Sequence, residues 1–200
     1  MTAVSSRIVT VPNALSVLRL VLIPVFLGLL GASQFGWALL VIVVSSLTDF
    51  VDGWIARRFD QISRLGQLLD PAVDRLFIFS TLMGLAWIGL LPWWLVIIIV
   101  SRDVVLLVLG IVLANIGYGP LPVHHLGKAA TFALLFALPT IVLGAAAPAI
   151  APFSDPLGWA LALWGAFLYW WAGAVYIRET ARLVRIARVS DAASSDSLDT

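Results

Sequence analysis

The chain has 200 residues, 62% of them hydrophobic and only 12% charged, with a net charge of +1. That composition excludes an ordinary soluble domain and points to one all-α, polytopic membrane bundle, since about six transmembrane helices of roughly 20 apolar residues fit the length. Cysteine is absent, which excludes a disulfide framework or a thiolate site and leaves oxygen or imidazole to hold any metal.

In chain order, residues 1–12 form a short N-terminal juxtamembrane segment, with Arg7 its only charge and Pro12 at its end. Its periodicity is too brief to place it along the bilayer surface. Asn13 reads as a helix cap, and Leu15 opens a first span ending near Gly31, with Arg19 interrupting it. A cleaved signal peptide is the rival reading, because the apolar run Leu20–Leu30 precedes the small residues Gly31, Ala32 and Ser33. Five further spans, and the splitting of the run by Arg19, favour a retained helix.

The second span runs from about Gly36 to Ile55 and delivers Asp49 and Asp52 at its C-terminal end. Arg57, Arg58, Asp60 and Arg64 make a charged connection, with Gly66 just before the next helix. The third span, about Gln67 to Leu90, begins with Asp70 and Asp74, and Pro71 suits a first helical turn. Leu91-Pro92-Trp93-Trp94 is a turn at the opposite interface, where tryptophan prefers to sit. The fourth span continues to about Ala114 and carries Arg102-Asp103 well inside it.

Asn115 to Gly127 reads as a loop in which His124 and His125 are loop residues rather than ligands. Lys128 opens the fifth span, which ends near Pro148. Ala145–Pro152 with Ser154-Asp155-Pro156 forms the next connection, and the sixth span lasts from about Leu157 to Ile177. Trp170 and Trp171, like Trp93 and Trp94, read as interfacial anchors. Arg178, Arg182, Arg185 and Arg188 form a basic extension facing anionic headgroups. Ser190–Thr200 is small, acidic and serine-rich, the composition of a disordered tail. The expected organisation is a segment 1–12, one six-helix catalytic domain 13–180, and an extension with tail, 181–200.

Lysine and arginine cluster between spans two and three, at the start of span five, and after span six; the other connections carry none. The positive-inside rule then places both termini and the four aspartates on the cytoplasmic side of a bacterial-type plasma membrane.

Carboxylates inside membrane spans are costly and mark function. Asp49 and Asp52 are three residues apart, Asp70 and Asp74 four apart, so each pair shares a helix face. A tight connection would bring the pairs together. Their charge near −4 suits two hard divalent cations, Mg²⁺ or Mn²⁺, which in pairs clamp the oxygens of a phosphoryl displacement. Gly53 and Ala56 leave room for a ligand beside the helix backbone, and Arg57 is a planar, permanently charged donor for phosphate.

The spacing D-x2-D-G-x2-A-R-x8-G-x3-D-x3-D is met at every fixed position from Asp49 to Asp74, and it resembles the signature of the CDP-alcohol phosphatidyltransferase family. Pro12-Asn13 with Ser16 and Arg19, then Arg102-Asp103 and Gly127-Lys128, are similar to the branch making phosphatidylglycerophosphate and cardiolipin. The resemblance covers roughly residues 12 to 180. It implies that Asp49, Asp52 and Asp70 bind the metals, and that Asp74 completes the second metal's shell and acts as general base. Gly53, Ala56, Arg57 and Gly66 would line the CDP site. The implied reaction transfers a phosphatidyl group from CDP-diacylglycerol to a glycerol-containing acceptor with release of CMP. The implied assembly is a homodimer, and neither the resemblance nor the charge pattern points to a nucleic-acid partner.

Two acceptors fit. Glycerol-3-phosphate is a dianion needing cations beside Asp74, with Arg19, Arg75, Arg102 and Lys128 as the available suppliers. Phosphatidylglycerol would enter through the bilayer. Asp103 beside Arg102 is similar to the cardiolipin-synthase side, whereas the glycerophosphate side often resembles Arg-Glu there, so the reading leans to phosphatidylglycerol. Arg102-Asp103 also reads as a buried pair that fixes helix packing. A cation transporter is the rival from another class, but Leu76–Leu90 and Leu134–Leu143 are almost wholly apolar beyond the cytoplasmic third, so a polar pathway stops halfway.

Overall fold

A computed structural model of the chain describes residues 11–58, 64–115 and 125–196, with side chains described over 14–48, 72–115 and 127–185. The described residues form six helices and no strand: α1 (Val11–Gly31), α2 (Phe35–Arg58), α3 (Arg64–Trp87), α4 (Trp93–Asn115), α5 (His125–Ala146) and α6 (Ala151–Asp196). Four stretches among the described residues are long and apolar enough to cross a bilayer: Ala14–Gly31, Trp93–Asn115, Gly127–Ala146 and Ala151–Arg185. The described part of α2 adds the apolar run Phe35–Thr48. The protein is an all-α integral membrane protein.

Helix ends differ from the sequence reading in ways that chain chemistry explains. α1 begins at Val11, so Asn13 lies inside it rather than capping it, and Pro12 occupies the first turn, where no N–H is missed. α3 begins at Arg64, which puts Gly66 inside its first turn and Pro71 in the helix body rather than at its start. α5 begins at His125, so His125 and Gly127 belong to the helix and Lys128 lies within its first turn. α6 begins at Ala151, with Pro152 in its first turn, where a proline is tolerated, and Pro156 inside the helix, where it forgoes one backbone hydrogen bond. The helical backbone then continues to Asp196, past the start given to a tail by composition, since adding residues to an existing helix is far easier than nucleating one. Residues 1–10, the connection 59–63 with Asp60, the loop 116–124 with His124, and residues 197–200 lie outside the described residues.

Two helix ends close the same way. At the end of α1 the amide of Gln34 donates to the Leu29 carbonyl at 2.8 Å and that of Ser33 to Leu30 at 3.0 Å, with Ser33 at φ 56°. At the end of α3 the amide of Leu90 donates to Leu85 at 2.9 Å and that of Gly89 to Ala86 at 3.1 Å, with Gly89 at φ 80°. Both are Schellman caps, which satisfy terminal carbonyls that a bilayer edge would otherwise leave unpaired. Glycine is the usual residue at the left-handed position; Ser33 holds it in α1.

The chain divides into two compact units, one of residues 1–96 with 136–159 and the other of 97–135 with 160–200. In the first, α1 packs against both α2 and α3. The buried face of α1 is Ser16, Arg19, Ile23, Phe26 and Leu30, spaced three and four apart so that they form one stripe along the helix. The apolar side chains off this stripe, Val17, Leu18, Val21 and Val25 among them, are exposed, as expected where the solvent is hydrocarbon. Phe26 meets Phe77 of α3 with ring centroids 6.1 Å apart. α3 comes close at Gly84, where an added Cβ would stand 2.7 Å from Leu27 Cδ2 and 2.9 Å from Leu30 Cδ1, the small-residue contact typical of membrane helices. Thr81, buried in the same helix, donates to the Phe77 carbonyl at 2.8 Å, so its hydroxyl is paired in an apolar setting.

In the second unit Ala130 and Ala133 on α5 and Ala162, Ala166 and Ala172 on α6 are buried alongside the larger Ile99, Leu113, Leu134 and Tyr169. Small side chains let helix backbones approach closely where hydrophobic burial gives no drive between helices in lipid.

Candidate active site

The signature residues fall on two helices of the first unit. Asp49, Asp52, Gly53, Ala56 and Arg57 lie in the C-terminal part of α2, and Gly66, Asp70 and Asp74 in the N-terminal half of α3. In helical register Asp49, Asp52, Gly53 and Ala56 share one face of α2, and Asp70 and Asp74 share one face of α3. The side chains of the residues from Asp49 to Asp70 lie outside the described ones. Together the four aspartates are an oxygen-only donor set of the kind Mg²⁺ and Mn²⁺ prefer. Among the described side chains no group of three potential metal ligands occurs, since Asp74 is the only one of the four within them.

Asp74 is held from α1. Arg19 donates through Nη1 to Asp74 Oδ1 at 2.9 Å, and its side chain is 1% exposed, while that of Asp74 is 47% exposed. Arg19 stands eight residues into α1 and Asp74 ten into α3, or about 12 and 15 Å from the two helix starts. Because one helix separates them, these starts lie on the same side, so the two charges meet at matching depth. The sequence reading gave Arg19 to an acceptor phosphate and did not pair it. The available signal was a lone cation in an apolar span, which needs a partner inside the bundle. Arg75, next to Asp74, is exposed.

In the second unit Arg102 and Asp103 of α4 engage Tyr169 of α6. Arg102 Nη1 and the Tyr169 hydroxyl both donate to Asp103 Oδ1, at 3.0 and 2.9 Å. Arg102 Nε donates to the Tyr169 carbonyl at 3.3 Å, and the guanidinium carbon sits 3.8 Å from the Tyr169 ring centroid. This agrees with the reading of Arg102-Asp103 as a buried packing pair, and the guanidinium is spent on it. Tyr169 was not singled out from the sequence; it precedes two tryptophans and reads with them as an interfacial aromatic. Trp170, expected only as an anchor, donates its indole N–H to the Ile98 carbonyl at 2.8 Å, so it ties α6 to α4. Lys128 is exposed on α5.

With this arrangement in place, residues 9–184 match the description of CDP-alcohol phosphatidyltransferase, and the chain belongs to that family. It is therefore a transferase of phospholipid biosynthesis, acting on CDP-diacylglycerol and an alcohol acceptor. The chain is 47% identical over 193 residues to the cardiolipin synthase (CMP-forming) of Streptomyces coelicolor, covering 94% of this chain and 90% of that protein. It is 31% identical over 176 residues to the CDP-diacylglycerol-glycerol-3-phosphate 3-phosphatidyltransferase of Bacillus subtilis, covering 79% of this chain and 88% of that protein.

Proposed function

We propose that the protein transfers the phosphatidyl group of CDP-diacylglycerol to a glycerol hydroxyl of phosphatidylglycerol, forming cardiolipin and CMP. The observation that carries the choice of acceptor is the greater likeness to the Streptomyces enzyme, 47% against 31% for the Bacillus glycerol-3-phosphate enzyme. Cation placement agrees with it. A soluble dianion needs free positive charge, and of the four cations available to it Arg19 and Arg102 are already bonded to Asp74 and Asp103.

Residues 13–180 act as the catalytic domain in this reading. Asp49, Asp52, Asp70 and Asp74 would hold two Mg²⁺ or Mn²⁺ ions, which when bound neutralise charge on the pyrophosphate. Gly53, Ala56 and Gly66 give the CDP moiety room against α2 and α3, and Arg57 offers its guanidinium to a phosphate oxygen. Asp74 takes the proton of the acceptor hydroxyl. The freed oxygen attacks the phosphorus next to diacylglycerol, and the bond from that phosphorus to the bridging oxygen breaks, so the bridging oxygen leaves with CMP. The basic segments set the active site and both termini on the cytoplasmic side, and the working form is a homodimer.

The deciding experiment supplies purified protein with labelled CDP-diacylglycerol and Mn²⁺, with each acceptor in turn, and resolves the lipid products. Cardiolipin formed with phosphatidylglycerol alone is the expected result. Phosphatidylglycerophosphate formed with glycerol-3-phosphate alone would overturn the acceptor assignment.

A further inference from the structure

We infer that Arg19 is a positioning residue for Asp74, holding the carboxylate that receives the acceptor's proton rather than binding the acceptor itself. The inference rests on the reading of Asp74 as general base. Arg19 is among the most deeply buried side chains of the described residues and sits on the packed stripe of α1 between Ser16 and Ile23. Its guanidinium is delivered to Asp74 Oδ1 at 2.9 Å from a helix 55 residues away in sequence. With 1% of its side chain exposed, it offers no surface to an incoming phosphate. Asp74 is the exposed member, at 47%.

The geometry therefore has a fixed side and a presented side. A carboxylate on the free end of an aspartate can rotate about two side-chain bonds, and a donor anchored in packed helix removes that freedom before substrate arrives. Arginine suits the task because its planar fork keeps its charge under all conditions and loses little freedom per bond formed. Lysine could supply the charge at that point but not the same directed N–H.

The test compares Arg19→Gln, Arg19→Lys, Asp74→Asn and the double variant Arg19→Gln/Asp74→Asn in purified form, with kcat and KM measured for the acceptor and thermal unfolding followed in detergent. Misplacement of a reacting group by about 1 Å costs on the order of 10²-fold. Arg19→Gln should accordingly lower kcat by roughly 10- to 100-fold with the acceptor KM changed by less than about threefold, a transition-state loss rather than a binding loss. Arg19→Lys should recover part of it, and the double variant should be no slower than Asp74→Asn alone. In unfolding, the two single variants should be non-additive, as residues in direct contact are. A raised acceptor KM with kcat preserved, or losses that multiply in the double variant, would overturn the inference while leaving Asp74 as the base. Should Arg19→Gln not fold, the same kcat-against-KM comparison is made on Arg19→Lys. Full turnover in Asp74→Asn would instead remove the base assignment on which the inference stands.

Discussion

Arg102 and Tyr169 meet twice: the guanidinium lies 3.8 Å from the centre of the tyrosine ring, and both side chains donate to the same oxygen of Asp103. A cation is thus satisfied by a π-face, a carboxylate and a backbone carbonyl, with only 6% of its side chain exposed. Within a bundle such an arrangement is expensive to break, because removing one partner leaves the other's charge uncompensated.

Tyr169→Phe should retain the ring contact and lose one hydrogen bond. The loss is about 1 kcal/mol, between the membrane average of roughly 0.6 and the 1.5–3 of a bond to a charged group. Arg102→Ala should cost more, toward the lower end of the roughly 3–5 kcal/mol for a broken buried pair, because Asp103 keeps 32% exposure. Thermal unfolding in detergent checks both, and equal losses in the two variants would contradict this division of roles.

Ser33→Gly should stabilise the protein. Serine at φ 56° bears the left-handed penalty of about 1–2 kcal/mol, and glycine returns about 0.5–1 of that as chain entropy. A net gain of roughly 0.5–1 kcal/mol is expected as a rise in midpoint temperature. Gly89→Ala, at the matching position of α3, should move it the opposite way.

At Gly84 the neighbours that an added methyl would meet are the ends of Leu27 and Leu30, which can swing aside. Gly84→Ala should therefore cost little, about 1 kcal/mol, whereas Gly84→Phe should force α1 from α3 and prevent recovery of folded protein. Comparable yields of the two variants would count against close helix contact there.

The signature aspartates give a chemical prediction. Asp49→Asn, Asp52→Asn and Asp70→Asn should each raise the Mn²⁺ concentration needed for turnover, and Asp74→Asn should lower the rate by about 10²- to 10⁴-fold, the usual effect of a lost general base. Excess chelator should abolish CMP release, and activity surviving it would remove the metal assignment.

The orientation can be read with single cysteines, since the chain has none of its own. Cysteine at Ser63 should react with an impermeant reagent only from the cytoplasmic side, and cysteine at Ala149, exposed between α5 and α6, only from outside. Labelling of position 63 in intact cells would reverse the topology.

Six helices were legible because a bilayer demands long apolar runs, and the aspartate pattern was legible because it is local and fixed in spacing. What escaped was tertiary or terminal. The bond from Arg19 to Asp74 joins residues 55 apart, and no local rule distinguishes that partner from Asp49 or Asp70. Tyr169 carries a polar tip whose use depends on which helix lies beside it. Pro152 and Pro156 read as breakers, yet Pro152 fits a helix start and Pro156 is carried inside the helix, so α6 begins six residues earlier than the expected Leu157.

The separation between Arg19 and Asp74 also has a meaning in time. A ribosome making about 5–20 residues per second completes Asp74 roughly 3–11 s after Arg19, because the two stand 55 positions apart. Through that interval α1 carries a cation that adds about 2.5–3.5 kcal/mol to its insertion near the middle of a helix, with its carboxylate still unmade. The bond that satisfies Arg19 of α1 therefore waits for α3. Nascent chains arrested before and after Asp74 should differ in how readily alkali extracts α1 from the membrane.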